Sequence, residues 1–463
     1  MDRLDIAIEN MRALHYAHFC NIMPELVNRL SWSHKKIHEH QIAALKSMLR
    51  HAKAQSPWHA ERLAGIDPEA ITLADLAQIP TMTKGDLMEH WDDIVTVPGA
   101  SRSEAEAALR NMRDQFYIWG DNTLFTSGGT GGRPGIFVYD WTSLALNWGG
   151  MCRSMETYIA TLPLANGHKP RRLRLAAVGA ELSAHGSFVV GRVFSNPFNQ
   201  TQMLSGWRSV EQLIPKLNAA QPDIFSCYPN LIPALAAAAQ AGDLKITPLL
   251  IACGGEHFPE SSQKFAKEAW PATDILSCWG TSEAGGTFPC PLGDGFHISE
   301  DLVIIEPVDE TGQPVQPGER SAGIYLTNLY NKALPILRYY IDDVFELDDK
   351  PCACGCIHKK VKQVHGRGFE KFQYRKTVVH PVTLQLAVLE QPQILEYQIR
   401  QTPSGVHLSY RSQGNADEGR LRCKLREALL SYGLGEPDVA VERVDQLHRT
   451  TAGKLKRFVP LLA

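Results

Sequence analysis

The chain has 463 residues and a formal net charge of −3, from 47 lysines and arginines against 50 aspartates and glutamates. This length favours two or more domains, and the balanced charge gives no reason to expect nucleic acid or an anionic membrane as the main partner. The first residues are acidic where a signal peptide is basic, and no apolar run reaches the ~20 residues that span a bilayer, so we expect a cytoplasmic protein. Ten cysteines in such a chain argue against a disulfide framework.

The first predicted elements are helices, from about residue 26 to residue 88. Apolar residues recur every three or four positions over residues 38–54, which is typical of an amphipathic helix. Thr83, with Asp86 three residues later, indicates a helix N-cap followed by an acidic residue in the first turn.

The middle of the chain, residues 125–331, alternates short apolar runs with helical patterns, which predicts βαβ units around a parallel sheet. Four runs are typical of buried strands that end in a Gly or Pro turn, at residues 173–180, 223–229, 248–255 and 274–280. Because ligands bind at the carboxyl ends of such strands, these turns are candidate site positions. Residues 297–329 predict a strand, a turn and a second strand, and we place a domain boundary near residue 367.

A run of small residues at 126–134, TSGGTGGRP, is the first candidate binding element. Small residues let the backbone approach an anion closely, and successive N–H groups can bind phosphates. Hydroxyl groups and one guanidinium would add donors. The run matches neither GxxxxGK[ST] nor GxGxxG, and a flexible surface loop explains it about equally well.

Three further motifs each carry one candidate group. Glu283 ends the run WGTSE directly after a predicted strand, where a carboxylate is well placed to hold Mg²⁺ beside phosphates. Asp343 closes the run PILRYYIDD, and a carboxylate there can bind ribose hydroxyls. Lys454 follows a glycine and can reach a phosphate or a carboxylate. Taken alone, each motif is more typical of an exposed turn or a surface lysine.

In order and type, these motifs resemble those of the AMP-forming adenylate ligases, which include acyl-CoA synthetases, peptide-synthetase adenylation domains and luciferases. Residues 126–134 resemble that superfamily's phosphate loop, and WGTSE resembles its YGxTE. Gly366-Arg367 and Gly453-Lys454 are similar to its GR and GK signatures. Within the superfamily, the runs IPTMTKGDL, CYPNLIPALA, CGGEHFP, HISED with VIIEPVDETG, and PILRYYIDD are most similar to phenylacetate–CoA ligases, over roughly residues 35–458.

The resemblance implies an α/β fold, with a large multi-sheet N-terminal domain at residues 1–366 and a small mobile α+β lid at residues 367–463. It implies that ATP converts a carboxylic acid, aryl or arylacetic, into an acyl-adenylate with release of pyrophosphate, after which the acyl group passes to coenzyme A. The cofactors would be ATP and Mg²⁺. A homodimer is a further expectation from the resemblance.

The resemblance also assigns roles to single residues. Lys454 would bridge the substrate carboxylate and the α-phosphate, Glu283 would hold Mg²⁺, and Arg367 would lie near the ribose. The nucleotide-binding set would be Thr126, Ser127, Gly128, Gly129, Thr130, Gly131, Arg133, Gly254, Gly255, Glu256, Trp279, Gly280, Thr281 and Asp343. Tyr228 and Trp279 are candidates for the acid pocket, because a flat ring prefers aromatic walls, although ordinary core aromatics are nearly as good an explanation.

The sequence departs from the superfamily pattern at the hinge and in the loop. Phe369 stands at the hinge aspartate position, Lys376 replaces a glycine, and Gly129 replaces the usual hydroxyl residue in a loop that is one residue longer. Transfer to an amine, a hydroxyl or a carrier-protein thiol therefore remains an alternative to coenzyme A. A relative that binds a nucleotide or an aromatic acid without turnover is a third hypothesis, although the four charged groups named above argue against it.

Residues 352–358, CACGCIH, are dense in ligands that suit zinc. The two thiolates of a CxC turn need two more ligands. Phenylacetate–CoA ligase relatives pair such a turn with an upstream Cys and His, and we expect structural zinc on Cys290, His297, Cys352 and Cys354. Cys356 or His358 could replace one of them, and reduced cysteines packed as small apolar residues are the alternative.

Overall fold

The computed structural model describes residues 3–111, 117–127, 135–161, 173–179, 185–194, 200–206, 208–255, 258, 260–367, 372–375, 377–379, 384, 387, 388, 390, 391, 393–412, 414–449 and 455–461.

Helices come first, as predicted, but they begin well before residue 26. Helices α1 to α6 span Arg3–Arg29, His34–Gln55, Pro57–Arg62, Lys84–Glu89, Trp91–Ile94 and Arg102–Asn111, and a 3-10 helix spans Leu73–Gln78. Helix α2 buries the apolar side that its periodicity predicted. At the start of α4, Thr83 and Asp86 each bind the other's backbone N–H, so the predicted N-cap is confirmed as a capping box.

A hairpin and a long helix follow. Strands β1 to β3 span Tyr117–Ile118, Asn122–Thr126 and Ile136–Tyr139, and helix α7 spans Trp141–Thr161. The three strands form one antiparallel sheet in sequential order. Helix α7 packs against α1, so the N-terminal helix belongs to the core of this domain.

The predicted parallel sheet is confirmed. It is built from β4 Arg174–Gly179, α8 Gly186–Val193, β5 Gln200–Ser205, α9 Val210–Ala220, β6 Ile224–Cys227, α10 Ile232–Gln240, β7 Leu250–Gly254, α11 Glu260–Ala269 and β8 Asp274–Cys278, with a 3-10 turn at Pro229–Leu231. The strand order is β5-β4-β6-β7-β8, and all pairs are parallel. Residues of α9, α10 and α11 cover one face, and residues of α7 pack on the other. Both faces are therefore buried, which is why the strands are apolar runs.

Two antiparallel sheets complete the large domain. The strands are β9 Gly280–Thr281, β10 Gly285–Pro289, β11 Phe296–Ile298, β12 Val303–Val308, β13 Gly323–Asn328, β14 Tyr339–Ile341, β15 Asp343–Leu347 and β16 Lys360–Arg367. One sheet has the order β15-β16-β11-β10-β9, and the other has the order β12-β13-β14.

The last hundred residues have a hydrophobic core of their own. Their elements are β17 Phe372–Tyr374, β18 Thr377–Val379, β19 Ile394–Gln401, β20 Gly405–Ser412, α12 Glu418–Ser431, β21 Asp438–Arg443 and β22 Phe458–Val459. Four of these strands form a sheet in the order β21-β20-β19-β22. The predicted fold class, a large α/β domain with a smaller α+β domain, is confirmed. Among the described residues, no helix combines the length and apolarity needed to cross a membrane.

Candidate active site and a cysteine–histidine cluster

The carboxyl ends of three neighbouring strands bring predicted site residues to one edge of the parallel sheet. Strands β6, β7 and β8 are in register, and Gly254 at the end of β7 pairs with the last residue of β8. Tyr228 follows β6, Gly255 follows β7 with φ +80°, and Trp279 follows β8. This edge is where doubly wound sheets bind ligands, as the sequence predicted for these turns.

Tyr228 packs closely against the neighbouring strand end. A Cβ atom on Gly206 would lie 3.1 Å from Tyr228 Cε2 and 3.1 Å from the carbonyl oxygen of Gly179. The glycine therefore allows the ring to lie against the ends of β4 and β5. Tyr228 is buried in this position.

Trp279 is fixed by contacts on several sides. Its Nε1 donates to Asp343 Oδ2 at 3.1 Å, and its ring meets the ring of Phe345 edge-on at 4.8 Å. Its backbone N–H donates to Thr287 Oγ1 at 3.0 Å. Gly286 has φ +121°, and a Cβ there would lie 2.7 Å from Trp279 Cζ3. The indole thus holds the Asp343 carboxylate, a contact that the sequence did not predict.

Asp343 and Arg367, which the resemblance assigns to the ribose, lie opposite each other. Asp343 begins β15, Arg367 ends β16, and the two are direct cross-strand partners. Paired residues of antiparallel strands have Cβ atoms about 5 Å apart. The side chain of Arg367 lies outside the described part of the structure.

The turn that carries Glu283 is held by its backbone. The N–H groups of Glu283 and Ala284 donate to Thr281 Oγ1 at 3.2 and 3.3 Å. Three side chains each donate to one carbonyl of the turn: Tyr139 Oη to Ser282 O at 2.8 Å, Asn328 Nδ2 to Glu283 O at 3.0 Å, and Tyr330 Oη to Ala284 O at 2.9 Å. Three consecutive carbonyls are thus satisfied by side chains from β3, β13 and the loop after β13.

A buried asparagine connects two of these donors. Asn147 Nδ2 lies 3.2 Å from Tyr139 Oη and 3.0 Å from Tyr330 Oη. Burial raises the pKa of both tyrosines well above the ordinary value, so both phenols stay protonated and can donate. The sequence did not predict this network. Its members are far apart in the chain, and no motif marks them.

The described residues on either side of the predicted phosphate loop belong to or adjoin the paired strands β2 and β3. Ser127 N–H donates to Gly135 O at 3.0 Å, and Gly135 N–H donates to Ser127 Oγ at 2.9 Å. Thr126 forms a parallel bridge with His185. Nine of the positions that the sequence singled out lie outside the described residues: Gly128, Gly129, Thr130, Gly131, Arg133, Glu256, Phe369, Lys376 and Lys454.

The four residues expected to bind zinc are brought together. The ligand atoms of Cys290, His297, Cys352 and Cys354 all lie within 4.8 Å of one another. Cys290 Sγ is 3.6 Å from Cys352 Sγ, and Cys354 Sγ is 3.3 Å from His297 Nε2. A zinc tetrahedron with Zn–S bonds of about 2.3 Å has edges of about 3.8 Å, so this donor set fits zinc.

Backbone hydrogen bonds orient the side chain of His297 and close the turns that carry the cysteines. His297 Nδ1 lies 2.9 Å from the carbonyl oxygen of His358, which leaves Nε2 facing the thiols. Gly293 and Gly355 have positive φ, and each N–H donates to the carbonyl oxygen of the cysteine three residues earlier, Cys290 at 2.9 Å and Cys352 at 3.0 Å. Among the described residues, Cys356 and His358 are not part of the group.

A buried ion pair lies next to this cluster. Arg153 on α7 donates to both carboxylate oxygens of Asp301, at 2.8 and 2.6 Å, and both side chains are 0% exposed. The guanidinium also lies 4.7 Å above the ring of Phe288, which stacks on His297. Burial alone would raise the pKa of Asp301, but the charge and hydrogen bonds of Arg153 lower it to about 2.

Comparison with other proteins gives independent evidence on the family that the motifs resemble. No family model matches the chain. The chain is 24% identical over 431 residues to the phenylacetate-coenzyme A ligase of Thermus thermophilus, which covers 90% of this chain and 88% of that protein. It is 24% identical over 449 residues to the Pseudomonas putida phenylacetate-coenzyme A ligase, covering 91% and 92%. It is 23% identical over 444 residues to protein CapK of Staphylococcus aureus, covering 91% and 88%.

Among solved structures, the chain resembles 2-hydroxyisobutyryl-CoA ligase. In its postadenylation state with R3-HIB-AMP, that ligase matches with a TM-score of 0.68 at 17% identity, over 94% of this chain and 91% of its own. Its thioesterification state, with 2-HIB-AMP and CoA, matches with a TM-score of 0.56 over the same shares. The chain therefore has the fold of the adenylate-forming CoA ligases. The curated relatives take the likeness further, to the phenylacetate–CoA ligases, as the motifs predicted.

Proposed function

We propose that this protein is an AMP-forming acid–CoA ligase that activates an aryl or arylacetic acid. The observation that carries the proposal is the position of Asp343, which pairs with Arg367 across two strands and accepts a hydrogen bond from Trp279, the residue that follows β8 of the parallel sheet. The names of the curated relatives support the same class of reaction. Coenzyme A as the acceptor, a domain boundary at residue 367 and a cytoplasmic location belong to this proposal.

In the first half-reaction, a carboxylate oxygen of the acid would attack the α-phosphorus of ATP. A bond from that oxygen to phosphorus forms, and the bond from phosphorus to the pyrophosphate oxygen breaks. Two anions must meet, so the site has to neutralise charge and align the attack. Lys454 would lie between the carboxylate and the α-phosphate, and residues 126–134 would bind the β- and γ-phosphates.

The remaining groups would orient the nucleotide and the acid. Asp343, fixed by Trp279, would accept hydrogen bonds from the ribose hydroxyls, with Arg367 beside it. Gly254, Gly255 and Glu256 would flank the adenine, and Tyr228 would contact the ring of the acid. Bound Mg²⁺ would reduce the negative charge of the phosphates, and the turn described above would hold Glu283 as its ligand.

We also propose that Cys290, His297, Cys352 and Cys354 hold a structural zinc ion. Three thiols and one imidazole fill a tetrahedral shell and leave no position for a substrate. Bound there, zinc would join the turn after β10 to the turn before β16. Strand β16 ends at Arg367, so the site would stabilise the sheet that presents Asp343 and Arg367.

ATP–pyrophosphate exchange tests the proposed activity. Wild-type protein is incubated with aryl, arylacetic and fatty acids and with no acceptor. We expect acid-dependent exchange, which Asp343→Asn reduces strongly and the neighbouring Asp342→Asn reduces far less. Adding coenzyme A should then give a thioester. Absence of exchange with every acid, in folded protein loaded with zinc, would contradict the proposal.

A further inference from the structure

The segment that carries Lys454 is held at its base by one buried side chain. Arg449 and Leu455 form an antiparallel bridge, and the five residues between them in the chain include Lys454. Gln398 on β19 donates through Nε2 to the carbonyl oxygens of His448, at 3.3 Å, and Lys456, at 2.8 Å. One glutamine therefore binds the chain on both sides of the bridge, just outside it.

A second buried side chain on the same strand binds the bridge itself. Glu396 is two residues before Gln398, so both side chains point to the same face of β19. The Glu396 carboxylate is 1% exposed and accepts hydrogen bonds from Arg411, at 2.8 Å, and from Arg449. A buried carboxylate is stable only with such partners, so the position of Arg449 is coupled to that of Glu396.

The same ion-pair network reaches the large domain. Arg411 uses its other terminal nitrogen to donate to Glu211 Oε1 at 2.9 Å, and Glu211 lies in the first turn of α9. Leu395, next to Glu396, packs against the hydrophobic core on the α9–α11 face of the parallel sheet. A continuous chain of contacts thus leads from α9, through Arg411 and Glu396, to Arg449.

These contacts join the two domains in one relative arrangement, which can be compared with the known states of a similar ligase. The structure matches 2-hydroxyisobutyryl-CoA ligase with TM-scores of 0.68 in its postadenylation state, 0.56 in its thioesterification state and 0.55 in an open conformation. Coverage of this chain is nearly the same in all three comparisons, at 92% to 94%. The described arrangement is thus more similar to the postadenylation state of that ligase than to its thioesterification state or its open conformation.

We propose that Gln398 and Glu396 are positioning residues for the loop that carries Lys454, and that the Glu211–Arg411 ion pair fixes this loop against the large domain in the adenylate-forming arrangement. The inference rests on the proposed function, because it assigns Lys454 to the first half-reaction. If the inference holds, substitutions at these residues, which lie outside the nucleotide and acid sites, should slow the first half-reaction more than the second.

The first test concerns the loop. Gln398→Met keeps the side-chain length and removes the hydrogen bonds to His448 and Lys456, together with a weak one from Arg400 at 3.4 Å. The kcat for ATP–pyrophosphate exchange should therefore fall about tenfold or more, with little change in the KM for ATP. Gln401→Met is the matched control, because Gln401 is also a buried glutamine of β19 but binds Gln373 and Leu461. Wild-type kcat in Gln398→Met, or equal losses in both variants, would overturn the positioning role.

The second test concerns the ion pair. Glu211→Gln should lower exchange about 2- to 5-fold, because exposed ion pairs are weak. Transfer from a synthetic acyl-adenylate to coenzyme A should be unchanged or faster. At ~0.5 M salt the wild type should approach the variant, since screening weakens exposed pairs. Glu260→Gln is the control, because Glu260 lies in the first turn of α11 without a described contact to the small domain. Equal loss in both half-reactions would overturn the role of this pair.

Hydrogen exchange separates a failure of this inference from a failure of the proposed activity. In Gln398→Met, the amides of residues 455–458 should exchange faster, while those of α12 keep their wild-type protection. This readout needs no substrate. If the wild type shows no acid-dependent exchange, the proposed function fails on its own. If residues 455–458 keep wild-type protection in the variant, the inference fails, whatever the activity.

Discussion

The buried pair of Arg153 and Asp301 gives the sharpest test of the energetics. Arg153→Met keeps an unbranched apolar side chain at this position but leaves the Asp301 carboxylate buried without its bidentate partner. Breaking a fully buried ion pair on one side costs about 3–5 kcal/mol. Both side chains are 0% exposed and share two hydrogen bonds, so we expect a cost in this range. Arg29 Nη1, 3.5 Å from Asp301, compensates only in part.

The double variant Arg153→Met, Asp301→Asn should recover most of that loss, because no unpaired charge remains buried. Lys35→Met is the control for an exposed pair, since Lys35 and Glu39 are 85% and 64% exposed, and it should change stability by no more than about 0.5 kcal/mol. All nine tryptophans precede residue 367, so tryptophan fluorescence during urea unfolding reports on the large domain. A cost below about 1 kcal/mol for Arg153→Met, or no recovery in the double variant, would refute the reasoning.

The same pair predicts a pH dependence. The pKa of Asp301 falls from 3.8 to about 2 on folding, so its contribution is complete above about pH 4 and is lost as the pH falls towards 2. A shift of nearly two pKa units corresponds to about 2 kcal/mol. Stability curves of the wild type and Asp301→Asn should therefore converge below pH 4. Parallel curves across this range would contradict the assignment.

Three further outcomes are expected. Purified protein should contain one zinc ion per chain by elemental analysis, and Cys354→Ser should lose it while Cys356→Ser keeps it, because only the first supplies a ligand. Tyr330→Phe should destabilise the Glu283 turn by about 1–3 kcal/mol and lower the exchange rate, since a buried carbonyl loses its donor. Burial lowers the pKa of His15 to about 4, so the docking of α1 should weaken as the pH falls from 6.5 to 4, and the protection factors of the α1 amides, which correct for the intrinsic pH dependence of exchange, should fall over that window.

Each of these outcomes has a clear contrary result. Zinc retained in Cys354→Ser, or lost equally in Cys356→Ser, would exclude the proposed ligand set. Unchanged exchange activity in Tyr330→Phe would mean that the turn holds Glu283 without this donor. Equal protection factors of the α1 amides at pH 7 and pH 5, or the same fall in protection in His15→Leu, would separate His15 from the effect. His18→Leu, on the same helix, is the control.

The parallel sheet could be predicted from the sequence because four of its strands are apolar runs that end in Gly or Pro turns. The fifth strand, β5, has the sequence QTQMLS and lies at the edge of the sheet, so half-exposed polar residues concealed it. Helix α1 begins at Arg3, far earlier than predicted. The sequence did not predict this part of the helix because the residues that it packs against are distant in the chain. His15 Nδ1 lies 3.0 Å from Tyr117 Oη, and its ring stacks on Trp141 at 4.5 Å.

For the site, the sequence could identify groups at strand ends but not what holds them. Glu283 comes shortly after β8, the last strand of the parallel sheet, so its placement near that edge follows from the parallel topology. Asp343 begins a strand of an antiparallel sheet, so the parallel topology does not predict its place. The contacts that fix them, from Trp279 and from Tyr139, Asn328 and Tyr330, join residues more than forty positions apart. Such pairings leave no local pattern, since each donor is also an ordinary strand or loop residue. In the cysteine–histidine cluster, the local run at residues 352–358 predicted Cys352 and Cys354, and the family resemblance added Cys290 and His297.

The hairpin of β2 and β3 allows the length of the predicted phosphate loop, residues 128–134, to vary. Ser127 and Gly135 exchange hydrogen bonds at its base, and β2 and β3 are paired from Thr126 and Ile136 onward. The pairing of Ser127 with Gly135 and of β2 with β3 therefore sets the register of the strands, and the number of residues from 128 to 134 does not. One added residue changes the closure entropy of such a loop by only ~0.1 kcal/mol. Insertions can accumulate here over evolution without moving the strands, so the reach of the loop can be adapted separately from the scaffold.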